Sequence, residues 1–193
     1  MSFRNAYGYS HSENGWRMCN RDACTVITVG GMSVPVRAGW AAVALKAWML
    51  FFHENVEAVN QYYPIDDWGW SRDNAVATSN HLSGTGIDLN ATEHPWKIDA
   101  SQNFTKGQIA EIRRGLREFE GNIFWGQDWG TRDPMHFQLG AGTAAGDGAS
   151  AKLINFCQRR IDTEGRIRIG AAAPPPWTPT ARDFEAFSQL GRF

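Results

Sequence analysis

From Ala38 to Val59 the chain repeats apolar residues at three- and four-residue steps: Trp40, Val43, Ala44, Ala47, Trp48, Phe51, Phe52 and Val59. That periodicity predicts a helix carrying an apolar stripe, and a stripe of this kind has to face a core. The most apolar part, Ala38 to Phe52, contains Lys46 and is shorter than the ~20 apolar residues that a bilayer-spanning helix needs. His53 and Glu54 sit near the end of the pattern and read as a solvated edge.

A second helix is predicted from Thr105 to Glu120. Thr105 and Gln108 have the spacing of a capping box, Ile109, Ile112, Leu116 and Phe119 form the buried stripe, and Gly121 ends it. Short strands are expected on either side, at Thr85–Asn90 and Met135–Leu139, with a third at Asn122–Gly126. Residues 1–37 are rich in turns and hold one β-like stretch, Thr25–Val29, closed by Gly30 and Gly31. Residues 61–80 mix aromatic and polar types and read as strand and loop. Beyond Gly140 a glycine-rich stretch precedes a short helix over Ser150–Asp162, and Ala171–Pro179 reads as an extended linker or wrapping tail. The last segment, Arg182–Phe193, has the pattern of a short helix.

Charge narrows the function classes. With 19 basic and 20 acidic residues the net charge is −1, and no basic stripe offers a footprint for nucleic acid. The first residues, Met1 to Tyr7, lack the apolar core of a secretory signal, so the expectation is a protein made in the cytoplasm and not inserted in the membrane. Any role outside the cell then requires another exit route. Cys19, Cys24 and Cys157 do not have zinc-knuckle spacing; Cys19 and Cys24 are close enough for a local disulfide or are two free thiols. Nine tryptophans serve as core and surface aromatics or line a groove for glycans or peptides.

Two segments carry chemistry: Ser79–Asn90, with His81 and Asp88, and Asp133–Leu139, with Asp133 and His136. Two imidazoles and two carboxylates are the mixture a catalytic zinc site uses, three side chains as ligands and a free carboxylate as base. Strand alternation supports the grouping. Ile87 and Leu89 point one way and Asp88 the other; Met135, Phe137 and Leu139 point one way and His136 the other. If both strands share a sheet, Asp88 and His136 emerge together on its far face, and His81 reaches them from a loop made pliable by Ser83, Gly84 and Gly86.

The pattern Ser-x-His-x-x-Gly-x-x-x-Asp over Ser79–Asp88, followed by Asp-x-x-His-Phe over Asp133–Phe137, resembles the zinc D-Ala-D-Ala carboxypeptidase and L-Ala-D-Glu endopeptidase family. That family shares its metal-site architecture with lysostaphin-type peptidases and the hedgehog signalling domain, and it includes catalytic domains of phage endolysins. The resemblance covers roughly residues 60–140. It implies an α+β fold, with a small antiparallel sheet carrying the zinc site between flanking helices. It places the Zn²⁺ ligands on His81, Asp88 and His136, the catalytic carboxylate on Asp133, and an oxyanion-binding arginine on Arg72. Aspartate at position 133, and the Trp125–Gly130 segment before it, are similar to the endopeptidase and phage-lysin branches.

The expectation is then a monomeric peptidase domain over 1–165 with a proline-rich tail over 166–193. Its substrate is the peptidoglycan stem peptide, cut between L-Ala and D-Glu or, alternatively, at a D-Ala bond, and it reaches the wall by holin-type release. Rival readings are a wall-binding module that kept the fold and lost catalysis, and a metal-stabilised virion protein. Arg72 alternatively pairs with Asp66, Asp67 or Asp73, Ser79 is a structural position whose hydroxyl could orient a ligand from behind, and His94, the main rival for a ligand place, is read as substrate-side or incidental rather than as a ligand. His11 and His53 have no partners in sequence and receive no role.

Overall fold

A computed structural model of the chain describes residues 2–59, 61–62 and 66–170. The Ala171–Pro179 linker and the Arg182–Phe193 helix expected from the sequence lie outside the described residues.

The apolar repeat forms helix α1, Trp40–Asn55, entered from Gly39 at φ 82°. The helix is buried around most of its circumference rather than along one stripe: ten of its residues, from Ala41 to Phe52, are shielded, and Lys46 is only partly exposed. It is the central post of the core. No helix among the described residues is long and apolar enough to cross a membrane. His53 is not a solvated edge. Its Nδ1 accepts from the Val59 backbone N–H, and its ring lies where a side chain on Gly30 would be, so it ties the chain leaving α1 to the turn beneath it.

Against α1 packs the hairpin of β1, Cys24–Val29, and β2, Met32–Arg37, joined at Gly30 and Gly31, both with positive φ. A two-residue turn with both φ values positive matches the right-handed twist of the strands it joins. The sequence pattern did not mark β2, because Pro35 at its centre lacks the N–H that a central strand needs. The strand tolerates it because among the described residues this sheet has two strands, and the Pro35 carbonyl is taken by Trp70 N–H on the outer side.

Helix α2, Lys106–Glu118, begins with the expected reciprocal cap: Thr105 accepts from Gln108 N–H, and the Gln108 side chain accepts from Thr105 N–H. Glu120 and Gly121, at φ 53° and 71°, turn the chain out of it. Gly115 faces Phe51, whose Cε1 lies 2.3 Å from where a Cβ would sit, so the glycine sets how closely α2 meets α1. Helix α3, Ala151–Arg160, is capped by Ser150, and Arg160 at its end pairs with Glu118 and Glu120. Ile161 and Ile167 bridge across a turn and both join the core.

The third layer is a three-stranded antiparallel sheet of β3, Gly86–Asp88, β4, Ile123–Trp125, and β5, His136–Leu139, in the order β3-β5-β4. A two-strand ribbon, β6, Ala144–Ala145, and β7, Gly148–Ala149, follows. The architecture is α+β with small antiparallel sheets, as expected. Register puts Ile87 opposite Phe137, and Trp125 opposite Phe137 on the other side. This face lies on α1, where Phe137 meets Trp48 at 5.0 Å and Phe52 at 5.5 Å between ring centroids. Because side chains alternate along a strand, the neighbouring pair, Asp88 opposite His136, must point away from that aromatic core.

Candidate metal centre

Asp88 and His136 lie side by side on the outer face of the sheet, and the short turn Asn80–Ser83 brings His81 over them. Ser79 caps that turn by accepting from His81 N–H, and Gly84 closes it at φ 70°. His136 Nδ1 is 2.8 Å from Asp88 Oδ1, His81 Nε2 is 3.1 Å from Asp88 Oδ2, and the two imidazole nitrogens are 3.1 Å apart. One atom from each of the three residues lies within 4.8 Å of the others, and all three residues are buried.

The far nitrogens fix how these rings can be used. His81 Nδ1 is 2.7 Å from the Gly69 carbonyl, which can only accept, so Nδ1 carries the proton. His136 Nε2 is 3.1 Å from Gln138 Oε1, and the Gln138 amide nitrogen is spent on Glu13, so here too the outer nitrogen donates. With the outer nitrogens donating, the inner nitrogens, which meet at the Asp88 carboxylate, are the ones left to hold a metal. That donor set fits a divalent cation such as Zn²⁺, and outer-sphere acceptors of this kind hold zinc-binding imidazoles in orientation. The close packing reinforces it: a Cβ on Gly86 would lie 2.7 Å from His136 Cε1, so only glycine lets that ring lie across β3.

Electrostatics agree with a site short of positive charge. Burial pushes the Asp88 carboxyl up, but His81 and His136 outweigh it and hold it well below the usual range. For His81 burial disfavours the charged ring, and Asp88 more than offsets it, so its pKa is raised. Asp133 is different. Burial pushes its carboxyl up to about 6, with His136 opposing and Asp88 adding. Its Oδ1 is buried and has no hydrogen-bond partner, an acceptor left unused beside the three converging side chains. Asp133 is held there by its own backbone, N–H to Gly126 and carbonyl from His136, in a bend that needs glycine at 126, where a Cβ would be 2.6 Å from the Asp133 carbonyl oxygen.

The centre opens into a cleft of about 590 Å³, whose lining includes Trp68, Trp96, Trp129, Met135 and Val76 besides His81, Asp88, Asp133 and His136. Trp68 and Trp96 are 49% and 41% exposed, so this rim is apolar surface kept in water. Three of the tryptophans, Trp68, Trp96 and Trp129, therefore line a cleft, whereas Trp16, Trp48 and Trp125 are core.

Arg72 is exposed and is not among the cleft-lining residues; its carbonyl accepts from the Arg4 guanidinium. Asp66 and Asp67 are buried and accept from Thr92 and Asn90 instead. His94 is not at the centre: it is stacked on Phe104 and hydrogen-bonded to Glu57 and Asn103. Cys19 and Cys24 are free thiols with their sulfurs 3.9 Å apart.

Sequence reasoning missed the part played by the N-terminal segment. Ser12 bonds Ser83; Asn14 bonds Asn80, Thr85 and the Leu139 carbonyl; Glu13 accepts from Asn80 and Gln138. These contacts stitch the His81 turn to β5, and nothing in local spacing announces them. Gln138 could have been found, since it lies on the His136 side of the same strand.

Residues 72–139 match a family model described as D-alanyl-D-alanine carboxypeptidase. The match spans His81, Asp88, Asp133 and His136, supports the resemblance drawn from those motifs, and indicates a metallopeptidase of cell-wall peptides. No curated protein and no solved structure matches the chain.

Proposed function

We propose that the chain is a zinc-dependent peptidase of the peptidoglycan stem peptide, built on the hedgehog-type peptidase fold and working as a lysin. The observation that carries this reading is the convergence of three ligand atoms beside an unpartnered buried carboxylate, at the floor of an open cleft. His81 Nε2, His136 Nδ1 and an Asp88 oxygen would hold Zn²⁺. Bound there, the ion would supply Lewis acidity, acidifying a water and polarising the scissile carbonyl.

The chain's own groups do the rest. Asp133 Oδ1 accepts the proton of the attacking water and then delivers it to the departing amine nitrogen, so one carboxylate serves as base and then as acid. Its raised pKa suits a group that must both take and return a proton near neutrality. The tryptophan rim holds the peptide and excludes water around it. Arg72 is assigned the developing oxyanion on the family resemblance; from its exposed position it would have to fold over the rim to reach it.

The L-Ala-D-Glu bond is the preferred target, on the strength of aspartate at position 133. The description of the matching family favours a second reading, removal of a terminal D-Ala. Mass spectrometry of digested peptidoglycan separates them, since one releases free D-Ala and the other splits the stem after its first residue. Changing Asp133 to Ala tests the mechanism: zinc content should survive and wall lysis vanish. A fully active Asp133→Ala protein sinks the assignment.

A further inference from the structure

Glu13 lines the same cleft yet belongs to a part of the chain outside the family match. Its backbone is fixed by N–H donation to the Thr78 carbonyl at 2.8 Å. Its Oε2 accepts from Gln138 Nε2 at 2.8 Å and from Asn80 Nδ2 at 3.2 Å. Both donors flank proposed metal ligands, Gln138 beyond His136 and Asn80 before His81. One carboxylate oxygen is thus tied down by two side-chain amides, which removes most of the rotamer freedom that makes surface ion pairs weak.

No lysine or arginine is among the residues described as lining the cleft, whereas Glu13, Asp73 and Asp133 are. A negative charge on the substrate would find no fixed cation here apart from the ion the centre holds. An ammonium group would find one carboxylate already oriented, with apolar tryptophan walls lowering the competition from water.

We propose that Glu13 is a specificity-determining residue, selecting peptides that carry a free ammonium group at the position it faces. The proposal rests on the peptidase reading and deepens it by naming the substrate class. In a stem peptide the ammonium has two sources, the α-amino terminus or the side chain of a diamino acid. Both present the same chemistry to a carboxylate.

The test uses full-length zinc-loaded protein and a stem peptide with lysine at its third residue, in four forms: free, acetylated at the α-amine, acetylated at the side chain, and acetylated at both. Binding is followed by tryptophan fluorescence in the Asp133→Ala background, where nothing should be cut. Peptide cleavage by the otherwise unchanged enzyme is followed separately. The free peptide should bind about five- to tenfold tighter than the doubly acetylated one, the range of a well-placed charge pair near the surface. Glu13→Gln should erase that preference while keeping one zinc per chain, because the amide oxygen still accepts from Gln138 and Asn80. Whichever single acetylation reproduces the loss identifies the source of the charge.

Equal binding of all four peptides by the Glu13 form, or no measurable binding, overturns the proposal. So does an equal weakening of all four by Glu13→Gln, which would make Glu13 a brace for Gln138 and nothing more. A preference that persists while no peptide is cut leaves Glu13 standing and removes the peptidase reading; cleavage without preference does the reverse.

Discussion

Among the described residues two histidine groupings are buried against a carboxylate, at His81–Asp88–His136 and at His94–Glu57, and the first has the arrangement that could hold a metal. At His81, Asp88 and His136 each imidazole has its outer nitrogen on an acceptor, Gly69 or Gln138, and its inner nitrogen on the shared Asp88 carboxylate. At His94 both nitrogens are already occupied, Nδ1 by Asn103 at 3.2 Å and Nε2 by Glu57 at 3.3 Å. The His94 ring lies flat on Phe104, with centroids 3.5 Å apart and planes 10° from parallel. Glu57 is equally used, accepting from Asn90 and Gln108. What separates a possible ligand set from a structural latch is therefore convergence: three ligand atoms meet at one point on an open cleft, whereas the His94 ring is closed in by Phe104, Asn103 and Glu57. Both groupings are buried, so burial alone does not tell them apart.

The sharpest way to break this distinction is to truncate one histidine from each cluster. His81→Ala should release zinc and lower peptide hydrolysis by at least about a thousandfold, the several kcal/mol that a Lewis acid contributes to such a transition state. Metal analysis and zymography of the purified variant check it. His94→Ala should keep one zinc per chain and lose stability instead, by about 2–4 kcal/mol, because it opens a cavity over Phe104 and strands the Glu57 carboxylate. Denaturant unfolding reads that loss. Zinc release from His94→Ala would show that the two clusters are coupled and that the comparison is wrong.

A smaller effect probes the outer acceptors. Gln138→Ala leaves His136 in place but removes the oxygen that orders its ring. Zinc affinity should fall about 10- to 100-fold, the usual range for losing such a partner. A competition titration with a chromophoric chelator measures it, and an unchanged affinity would mean that packing alone, through Gly86 and Trp129, aims the ring.

Much of the centre could be read from the sequence because strand alternation is a local property. Asp88 between Ile87 and Leu89, and His136 between Met135 and Phe137, declare their faces without knowledge of the fold, and the register then sets them opposite one another. Helices α1 and α2 were visible for the same reason, since periodicity and the Thr105–Gln108 cap are short-range. What stayed hidden depends on contacts across the chain. Gly69 contributes a carbonyl, which no side-chain pattern encodes. Glu13 reaches the cleft only because residues 12–14 are sewn to the His81 turn and to β5. Strand β2 was hidden by Pro35, a residue that argues against a strand unless one knows that its sheet stops there.

The smallest effect concerns the link between the two clusters. Asp67 accepts from the Asn90 backbone N–H at 3.1 Å, next to the Trp68–Asp88 bridge, while Asn90 also holds Glu57. Its Oδ2 is buried without a partner. Burial pushes the Asp67 carboxyl up to about 7; the Asn90 N–H opposes this, and Asp66, Glu57 and Glu93 add repulsion. A carboxyl whose pKa is raised on folding holds its proton more tightly in the native state. Its contribution is then most favourable near pH 4, is lost progressively as pH rises to about 7, and stays lost above that. Asp67→Asn keeps the acceptor for Asn90 and removes the charge. At pH 8 it should raise Tm by roughly 2–4 °C, the shift that about 1 kcal/mol produces in a domain of this size. The gain should shrink at pH 5, where the native carboxyl is already neutral and less of the penalty remains. Thermal scans of both proteins at the two pH values decide it. An equal gain at both would assign the effect to hydrogen bonding rather than to a buried charge, and a loss at pH 8 would mean that the anion is needed where it sits.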